Sequence, residues 1–286
     1  MAKPKTILTR EQTTQKGWQW PTSNGRPAIS IVLIITTVFS ILILSSSSVE
    51  FSILRIFYSI GPFWDFTRNL LVEPDWPFLT TLLKKMLETI EMTILATAIA
   101  LLISFPIGIL AARNTSPHPF ISGFARNLLS AIRALPELVW AMIFVSALGL
   151  GALPGVMALA FVTIGFMGKF FAESMEVVGK QAVEGVQAHG ASNLQVTWYA
   201  VLPQAMPDFI SSLLYMLDHN LRAAAILGLV GAGGIGYEML MSMRLFNYNR
   251  IILIALSFYL LVTFLDRVSV YLRAKVIHGK TKERKS

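Results

Sequence analysis

The chain has 286 residues, of which 54% are hydrophobic and only 14% charged, with a formal net charge of +8 and no cysteine. A soluble domain has about 25% charged residues, so this composition excludes an ordinary soluble protein. The lack of cysteine excludes disulfides, thiolate metal sites and cysteine nucleophiles. Because the basic residues collect at the two ends and in one internal loop, and not on one face, we expect no nucleic-acid partner.

Six apolar segments are long enough to cross the ~30 Å hydrocarbon core of a bilayer as helices, which takes roughly 20 residues each. The first is expected to be a retained anchor, because no clear cleavage site follows it. The sequence thus predicts an all-α integral membrane protein with six transmembrane helices. The six segments are residues 28–44, 92–112, 132–149, 154–172, 208–230 and 250–270.

Basic residues divide the connections between these segments into two classes. The N-terminal segment has five Lys or Arg residues and the C-terminal tail is also basic, whereas the turn at 149–153 has none. Basic connections stay on the cytoplasmic side of a bacterial membrane. We therefore predict a multi-pass protein of the bacterial inner membrane with both termini in the cytoplasm.

Five parts follow from this pattern: a cytoplasmic tail, a first span, an extracytoplasmic or interfacial segment, a core transmembrane domain and a basic tail. The third part is rich in aromatic residues, which favour the interface between lipid and water. We expect a helix of this part to lie on the membrane lipid. The five parts are residues 1–27, 28–44, 45–79, 80–272 and 273–286.

A first ionisable cluster lies at the start of the third predicted span, where Arg133 and Glu137 flank Pro136. Charged groups at membrane depth cost about 2.5–3.5 kcal/mol each on insertion scales, so they are usually buried and often functional. Residues four apart share a helix face if the helix continues through the proline. Two hypotheses stay open: residues of a substrate path, or an internal ion pair that only stabilises the bundle.

A second cluster lies in the fifth predicted span, where Asp218, Asn220 and Arg222 follow one another at short spacing. Asp218 and Arg222 are four apart and can pair on one helix face. The planar guanidinium of an arginine matches the oxygens of a phosphorus oxyanion. The cluster is therefore either part of a substrate path or an ion pair without a ligand.

A glycine-rich run follows the fifth predicted span. It does not predict a nucleotide-binding loop, because no Gly-Lys-Ser/Thr follows it and no strand precedes it. Glycine instead allows a tight turn and close helix packing. We predict an outer gate or turn here, formed by Gly231, Gly233, Gly234 and Gly236.

The cytoplasmic loop 173–207 is polar and helical in pattern, with expected breaks near Gly190 and Pro203. It is either a docking element for a soluble partner or a solvated connector. Importer permeases of the ATP-binding cassette (ABC) class have Glu-Ala-Ala, three residues, Gly, nine residues and Ile-x-Leu-Pro in such a loop. The chain resembles them at Glu184, Gly190, Leu202 and Pro203, at the family's spacing.

Further stretches resemble the phosphonate permeases in particular, over about residues 80–272. One departure is that the family's Tyr-Arg-x-Glu is replaced by Tyr215-Met-Leu-Asp218. The matching stretches are Arg133-Ala-Leu-Pro-Glu-Leu-Val-Trp, Gly190-Ala-Ser-Asn, Val201-Leu-Pro-Gln-Ala-Met-Pro and Asn220-Leu-Arg-Ala-Ala-Ala-Ile-Leu-Gly-Leu-Val-Gly-Ala-Gly-Gly-Ile-Gly.

The resemblance implies a type I importer fold and a transport subunit that performs no chemistry of its own. It implies a second copy of the permease, two ATPase subunits that bind ATP and magnesium, and a periplasmic or lipid-anchored solute-binding protein. Phosphonate, phosphite or phosphate would be carried. The residues expected to couple the chain to the ATPase are Glu184, Gly185, Ala188, Gly190, Ala191, Leu202 and Pro203.

Two other functions remain as alternatives. An ABC permease for another small solute, such as methionine, shares the glycine-rich run and the Leu-Pro element. An ion-coupled secondary transporter would need inverted repeats with broken helices in corresponding halves, and the sequence shows no such repeat. Four scattered histidines offer no metal-ligand spacing, so no metal site is predicted.

Overall fold

The structure is a computed structural model that describes residues 22–23, 26–27, 29–48, 52–70 and 72–283. Over these residues the chain is almost wholly helical, apart from two paired two-residue strands, β1 (Thr22–Ser23) and β2 (Arg26–Pro27). The helices are α1 Ile29–Ser48, α2 Ile53–Leu70, α3 Leu79–Ala111, α4 Pro119–Ile132, α5 Glu137–Leu148, α6 Ala152–Glu176, α7 Lys180–Gln187, α8 Asn193–Val196, α9 Leu202–Gly228, α10 Gly234–Arg244 and α11 Tyr248–Glu283.

The chain divides into two compact units, Met1–Thr67 and Arg68–Ser286. In the first unit, α1 is an apolar helix whose described side chains are nearly all exposed. Exposed aromatic side chains, among them Tyr58 and Trp64, also cover α2. These surfaces suit contact with lipid, as the sequence predicts for the interval 45–79.

The second unit is a helical bundle built around α6, which packs against α3, α5 and α9. Its buried side chains form three apolar clusters. One lies at the end that holds residues 177–201, called here the loop end, and includes Phe171 and Met175. A second extends from the middle of the bundle to Ala232. The third joins Phe78 to Leu253 at the opposite end, called here the turn end.

Three helices of the described chain are long and apolar enough to cross a membrane: Trp76–Ala111, Ala152–Glu176 and Tyr248–Lys275. The bent pair of α4 and α5 makes four if it is one span. Helix α9 is 27 residues long, but its polar stretch from 218 to 222 lowers its hydropathy. The six-helix count is therefore not reproduced by length and composition, whereas the all-helical class is confirmed.

The third predicted span, 132–149, contains a bend at its start. Helix α4 ends at Ile132, α5 begins at Glu137, and the two helices are bent by 79°. Pro136 stands immediately before α5. A proline has no N–H for the helical ladder and disfavours helical backbone in the residue before it, so the helix ends there. Helix α10, between the fifth and sixth predicted spans, is a further element that hydropathy alone does not reveal.

One buried amide connects three helices at mid-bundle. Asn220 of α9 is 2% exposed, and its Nδ2 donates to Thr97 Oγ1 of α3 at 2.9 Å. Its Oδ1 accepts from Thr163 Oγ1 of α6, also at 2.9 Å. Thr163 lies about 17 Å from the start of α6 and about 20 Å from its end, at 1.5 Å per residue. The bridge therefore sets the register of three helices near the middle of the bundle.

Replacing Asn220 by Leu should lower the apparent Tm of the detergent-solubilised chain by several degrees, because interhelical hydrogen bonds in membrane proteins contribute roughly 0.6–2 kcal/mol each. The change also leaves the Thr163 hydroxyl without its acceptor. Gln204→Leu, at an exposed position of the same helix, is the control and should leave Tm unchanged. Equal Tm values for both variants would contradict a stabilising role for the bridge.

Candidate translocation face and coupling loop

The exposed faces of α3 and α9 differ in chemistry at the same depth. On α3 the exposed side chains of the middle turns are apolar, as at Leu95 and Leu102. On α9 the exposed face carries Tyr215 and Arg222. The hydrogen bond between the side chains of Thr97 and Asn220 places these stretches level with one another. A lipid-facing surface does not carry an exposed guanidinium, so the α9 face is the better candidate for a polar path.

Arg222 is held by two carboxylates. One guanidinium nitrogen, Nη2, donates to Asp218 Oδ2, one helical turn earlier, as the spacing predicts. The other, Nη1, lies 3.6 Å from Asp266 Oδ1 on α11. Sequence reasoning missed Asp266, although a lone acidic residue near the end of the apolar stretch of α11 is the pattern that could have shown it. The charge of Arg222 is thus largely compensated within the chain.

Arg133 is in a different state. It caps the C-terminus of α4, and its Cζ lies 4.5 Å from the ring centroid of Phe166 on α6. Its Nε is buried and has no hydrogen-bond partner among the described residues. The side chain fits because Gly165 has no Cβ, which would lie 2.8 Å from Arg133 Cγ. At mid-bundle this cation is paired with a ring face and with no carboxylate of the described chain.

Glu137 and Asn220 were also predicted to line the substrate path, but neither forms an ion pair or hydrogen bond with an arginine among the described residues. The condition for pairing Glu137 with Arg133, a helix that continues through Pro136, is not met, and among the described residues no ion pair joins them. Glu137 lies instead in the first turn of α5, where the helix dipole favours a carboxylate. Asn220 uses both of its amide atoms in the interhelical bridge, so it offers no free group in this conformation.

The glycine-rich run forms a tight turn between α9 and α10. The N–H of Gly151, in the connection between α5 and α6, donates to Gly231 O at 2.9 Å. Gly231, Gly233 and Gly234 have φ values of +91°, +79° and +67°, in the left-handed region that favours glycine. A Cβ on Gly231 would also lie 2.2 Å from Leu150 Cδ2. The predicted turn is therefore present, and it fastens two connections of the turn end together.

The N-terminus of α10 is capped from α3. Glu88 Oε1 accepts from the N–H of Gly234 at 3.1 Å, and Thr89 Oγ1 accepts from the N–H of Ile235 at 2.9 Å. Lys85 donates to Glu88 at 2.7 Å. These acceptors satisfy backbone donors that the first turn of a helix leaves free. Sequence reasoning missed Glu88 and Thr89, because they lie about 145 residues from their partners.

Gly236 permits the closest approach of two helices in this region. A Cβ there would lie 1.9 Å from Ala225 O, and a Cβ on Gly228 would lie 2.6 Å from Gly236 Cα. Helices α9 and α10 therefore touch backbone to backbone at this point, as small residues allow in membrane proteins.

The predicted coupling loop contains the short helix α7, which presents one exposed face. Glu184, Gly185 and Ala188 lie on this face, and nothing lies within 4 Å of a Cβ built on Gly185. Val183 and Val186 face the other way and pack against the apolar cluster of the loop end. The helix is thus amphipathic, with its polar side free for contact with another molecule.

After α7 the chain turns and re-enters a helix. Gly190 has a φ of +77°, so the expected break near this residue is confirmed. The Ser192 N–H donates to the Gln195 side chain at 2.8 Å, which is one half of a capping box that starts α8. Ala191 packs against the apolar cluster and Leu202 is buried, whereas Pro203 is exposed.

The expected break near Pro203 is not found. Helix α8 passes through a π-helical segment, Thr197–Val201, directly into α9. Pro203 lies in the first turn of α9, and because the winding is continuous there, its missing N–H leaves this stretch with one helical hydrogen bond fewer. The loop thus places Glu184 at the surface and Leu202 in the core. The part that leads into Leu202, from α8 through the π-helical segment, is continuously helical.

Comparison with known families defines the class of this protein. The model of the family described as "Binding-protein-dependent transport system inner membrane component" matches residues 104–278. The match covers more than half of the chain and includes the coupling loop, the α9 cluster and the glycine turn. The chain belongs to this family, and it is a multi-pass membrane permease of an ABC importer.

Two relatives with named transport systems are similar to this chain. The phosphite transport system permease protein PtxC of Stutzerimonas stutzeri is 44% identical over 200 residues, which are 70% of this chain and 73% of PtxC. The phosphate-import permease protein PhnE of Mycolicibacterium smegmatis is 39% identical over 223 residues. That alignment covers 78% of this chain but only 41% of PhnE.

A solved structure supports the fold. The inward-facing MetNI methionine ABC transporter has a chain that matches with a TM-score of 0.63 and 19% identity, over 71% of this chain and 99% of its own length. At this identity the similarity shows the fold alone, which is that of an ABC importer permease.

Substituting Gly236 by Ala should prevent the native packing of α10 on α9, because the new methyl group would overlap the Ala225 carbonyl oxygen. Forcing extra methyl groups into a packed interface costs typically about 1–3 kcal/mol or more. Thermal unfolding in detergent should show a clearly lowered Tm. Gly185→Ala, also in a helix but with open space around it, should keep or raise Tm. A native Tm for Gly236→Ala would contradict the close contact.

Proposed function

We propose that the chain forms the translocation path for phosphite, phosphate or a phosphonate in an ATP-driven importer. The relatives named for phosphite and phosphate transport support this substrate class. Phosphorus oxyanions need cationic donors with planar geometry along their path, and arginine supplies them. The proposal therefore concerns two guanidinium groups, that of Arg222 on the exposed face of α9 and that of Arg133 at the end of α4.

The single observation that carries the proposal is the uncompensated charge of Arg133. Its guanidinium lies at mid-bundle against Phe166, with no carboxylate partner among the described residues. A charge at this depth is costly unless an opposite charge reaches it. A passing oxyanion supplies that charge, whereas Arg222 already has Asp218 and Asp266. Arg133 is thus the first group on which we expect the substrate to act.

The working unit is proposed to contain more than this chain. A second copy of the permease would complete the path, and two ATPase subunits would bind ATP and magnesium and drive it. A periplasmic or lipid-anchored binding protein would deliver the substrate. The family description, which names a binding-protein-dependent system, supports this assembly. In it the chain has no catalytic site of its own.

The loop end is proposed to face the cytoplasm, together with both chain termini. The basic N-terminal and C-terminal segments support this orientation through the positive-inside rule. Helix α7 would then reach the ATPase with its exposed face, and motion would pass through Leu202 into α9. Because α8, the π-helical segment and α9 are continuous, a shift of the loop moves α9 as well. Alternating access needs an element with two arrangements, and we assign that role to α9.

Replacing Arg133 by Gln should lower the maximal rate of phosphite or phosphate uptake about tenfold or more, since the charge-assisted contact to the anion is lost. Arg133→Lys keeps the charge but loses the fork and should be intermediate. Uptake of radioactive phosphate by cells that express the complete importer is the measurement, at matched membrane levels.

Lys169→Gln is the control for Arg133. Lys169 is a cation on α6, but Glu173 lies 3.6 Å away and compensates it. Its removal should change uptake little. If Arg133→Gln transports at the wild-type rate, Arg133 is a structural cation and the proposed path is wrong. If the wild-type importer moves none of these anions, the substrate class itself is wrong.

Replacing Glu184 by Lys should uncouple the permease from its ATPase while leaving membrane levels normal. The reason is that the change reverses one exposed charge of α7 and touches no packed group. Co-purification of the ATPase in mild detergent and ATP-dependent uptake should both fall. Asn127→Lys adds a positive charge on the exposed face of α4 and should leave both unchanged. Normal co-purification with Glu184→Lys would contradict a docking role for α7.

A further inference from the structure

A row of rings continues from Arg133 across α6 to α9. The Phe166 ring, under the Arg133 guanidinium, lies 6.3 Å from the His219 ring between centroids. The His219 ring stacks on Tyr215, with centroids 6.4 Å apart and planes inclined by 19°. Phe170 closes the row, 6.2 Å from Tyr215 and 6.3 Å from Phe166. These four rings and Arg133 form a continuous surface, called here the ring row.

The ring row has polar atoms that nothing in the described chain satisfies. Neither the imidazole of His219 nor the hydroxyl of Tyr215 has a hydrogen-bond partner among the described residues, and both side chains are at least partly exposed. His219 is adjacent in sequence to Asn220, so it lies near mid-bundle. Lipid tails offer no hydrogen bonds, and polar side chains at this depth usually face a cavity or a partner. The row is therefore unsuited to face lipid.

Both cations of the candidate path have a position that can be stated relative to this row. Arg133 covers Phe166 at one end. Arg222 lies one helical turn beyond His219 on the exposed face of α9. The imidazole N–H of His219 and the phenol O–H of Tyr215 are further donors on the row. A tetrahedral oxyanion needs several donors around it, and hydrogen bonds to an anion are stronger than neutral ones.

We propose that His219 and Tyr215 are specificity-determining residues that contact the oxyanion as it passes between Arg133 and Arg222. This inference rests on the proposed function, because it assigns further contacts to the same path. His219 would donate one ring N–H to an oxygen of the anion, and Tyr215 would donate its hydroxyl to another. Phe166 and Phe170 hold the two rings in place and exclude lipid from the row.

Accessibility to a water-borne reagent tests this position independently of transport. The chain has no cysteine, so His219→Cys and Tyr215→Cys each introduce a single thiol. A negatively charged methanethiosulfonate reagent should modify both in permeabilised membranes that contain the complete importer. Excess phosphite or phosphate should slow the reaction, because the anion occupies the same space.

Leu95→Cys is the matched control. Leu95 is 52% exposed and lies two residues from Thr97, so the Thr97–Asn220 bond places it level with His219. It belongs to the apolar exposed face of α3 and should react slowly, since a thiol in lipid does not ionise. Equal rates at Leu95 and at both ring-row positions would overturn the proposal. Rapid modification that phosphite and phosphate do not slow would overturn it as well.

Substrate preference gives the second readout. His219→Phe keeps the stacked ring but removes the N–H, so the relative maximal uptake rates of phosphite, phosphate and methylphosphonate should change about fivefold, as expected for the loss of one hydrogen bond. Phe161→Leu, in the separate cluster with Trp140 and Phe144, should scale all three rates by a common factor. A common factor for His219→Phe too would show a purely structural ring and overturn the proposal.

The outcomes separate this inference from the proposed function. Loss of uptake in Arg133→Gln together with unchanged preference in His219→Phe would retain the oxyanion path and reject the ring row. A wild-type importer that moves none of the three anions would reject the proposed substrate class and, with it, this assignment.

Discussion

The arrangement of this bundle depends on one constraint, which is that polar groups at membrane depth need partners where water is absent. Asn220 meets it by bonding to threonines of two other helices, and this fixes the rotation of α9. With Asn220 turned inward, Tyr215 and Arg222 are turned outward on the same helix. The buried hydrogen bonds of Asn220 and the exposed polar face of α9 therefore both follow from the same rotation of this helix.

Backbone contact provides the second constraint, at the turn end. Gly228 and Gly236 bring α9 and α10 together without side chains between them. The free donors at the start of α10 then lie beside Glu88 and Thr89, which accept from them. A short helix that hydropathy does not reveal is thereby fastened to both α3 and α9. The turn end is thereby joined by direct contacts to α9, the helix that begins at the loop end.

Local spacing predicted those parts of the site in which both partners lie within one helical turn. The pair of Asp218 and Arg222 is of this kind. The break near Gly190 is likewise a local feature, because it depends on the conformation of one residue. Partners that are distant in sequence were invisible to such spacing, as Asp266 shows for Arg222 and Glu88 for Gly234. For the span at 132–149 the sequence left open whether the helix continues through Pro136, because hydropathy measures apolar length and is insensitive to a proline's effect on direction.

The unequal pairing of the two arginines fits the oxyanion path proposed above. A site must attract an anion enough for entry but bind it weakly enough for release. Two uncompensated guanidiniums would hold a phosphorus oxyanion tightly, whereas two compensated ones would not attract it. In the proposed path, Arg133, which among the described residues is paired with a ring face and no carboxylate, would supply attraction, and Arg222, already held by Asp218 and Asp266, would supply a contact that the anion shares. Transfer of the anion from Arg133, which has no carboxylate partner among the described residues, to Arg222, which has two, is therefore consistent with rapid passage.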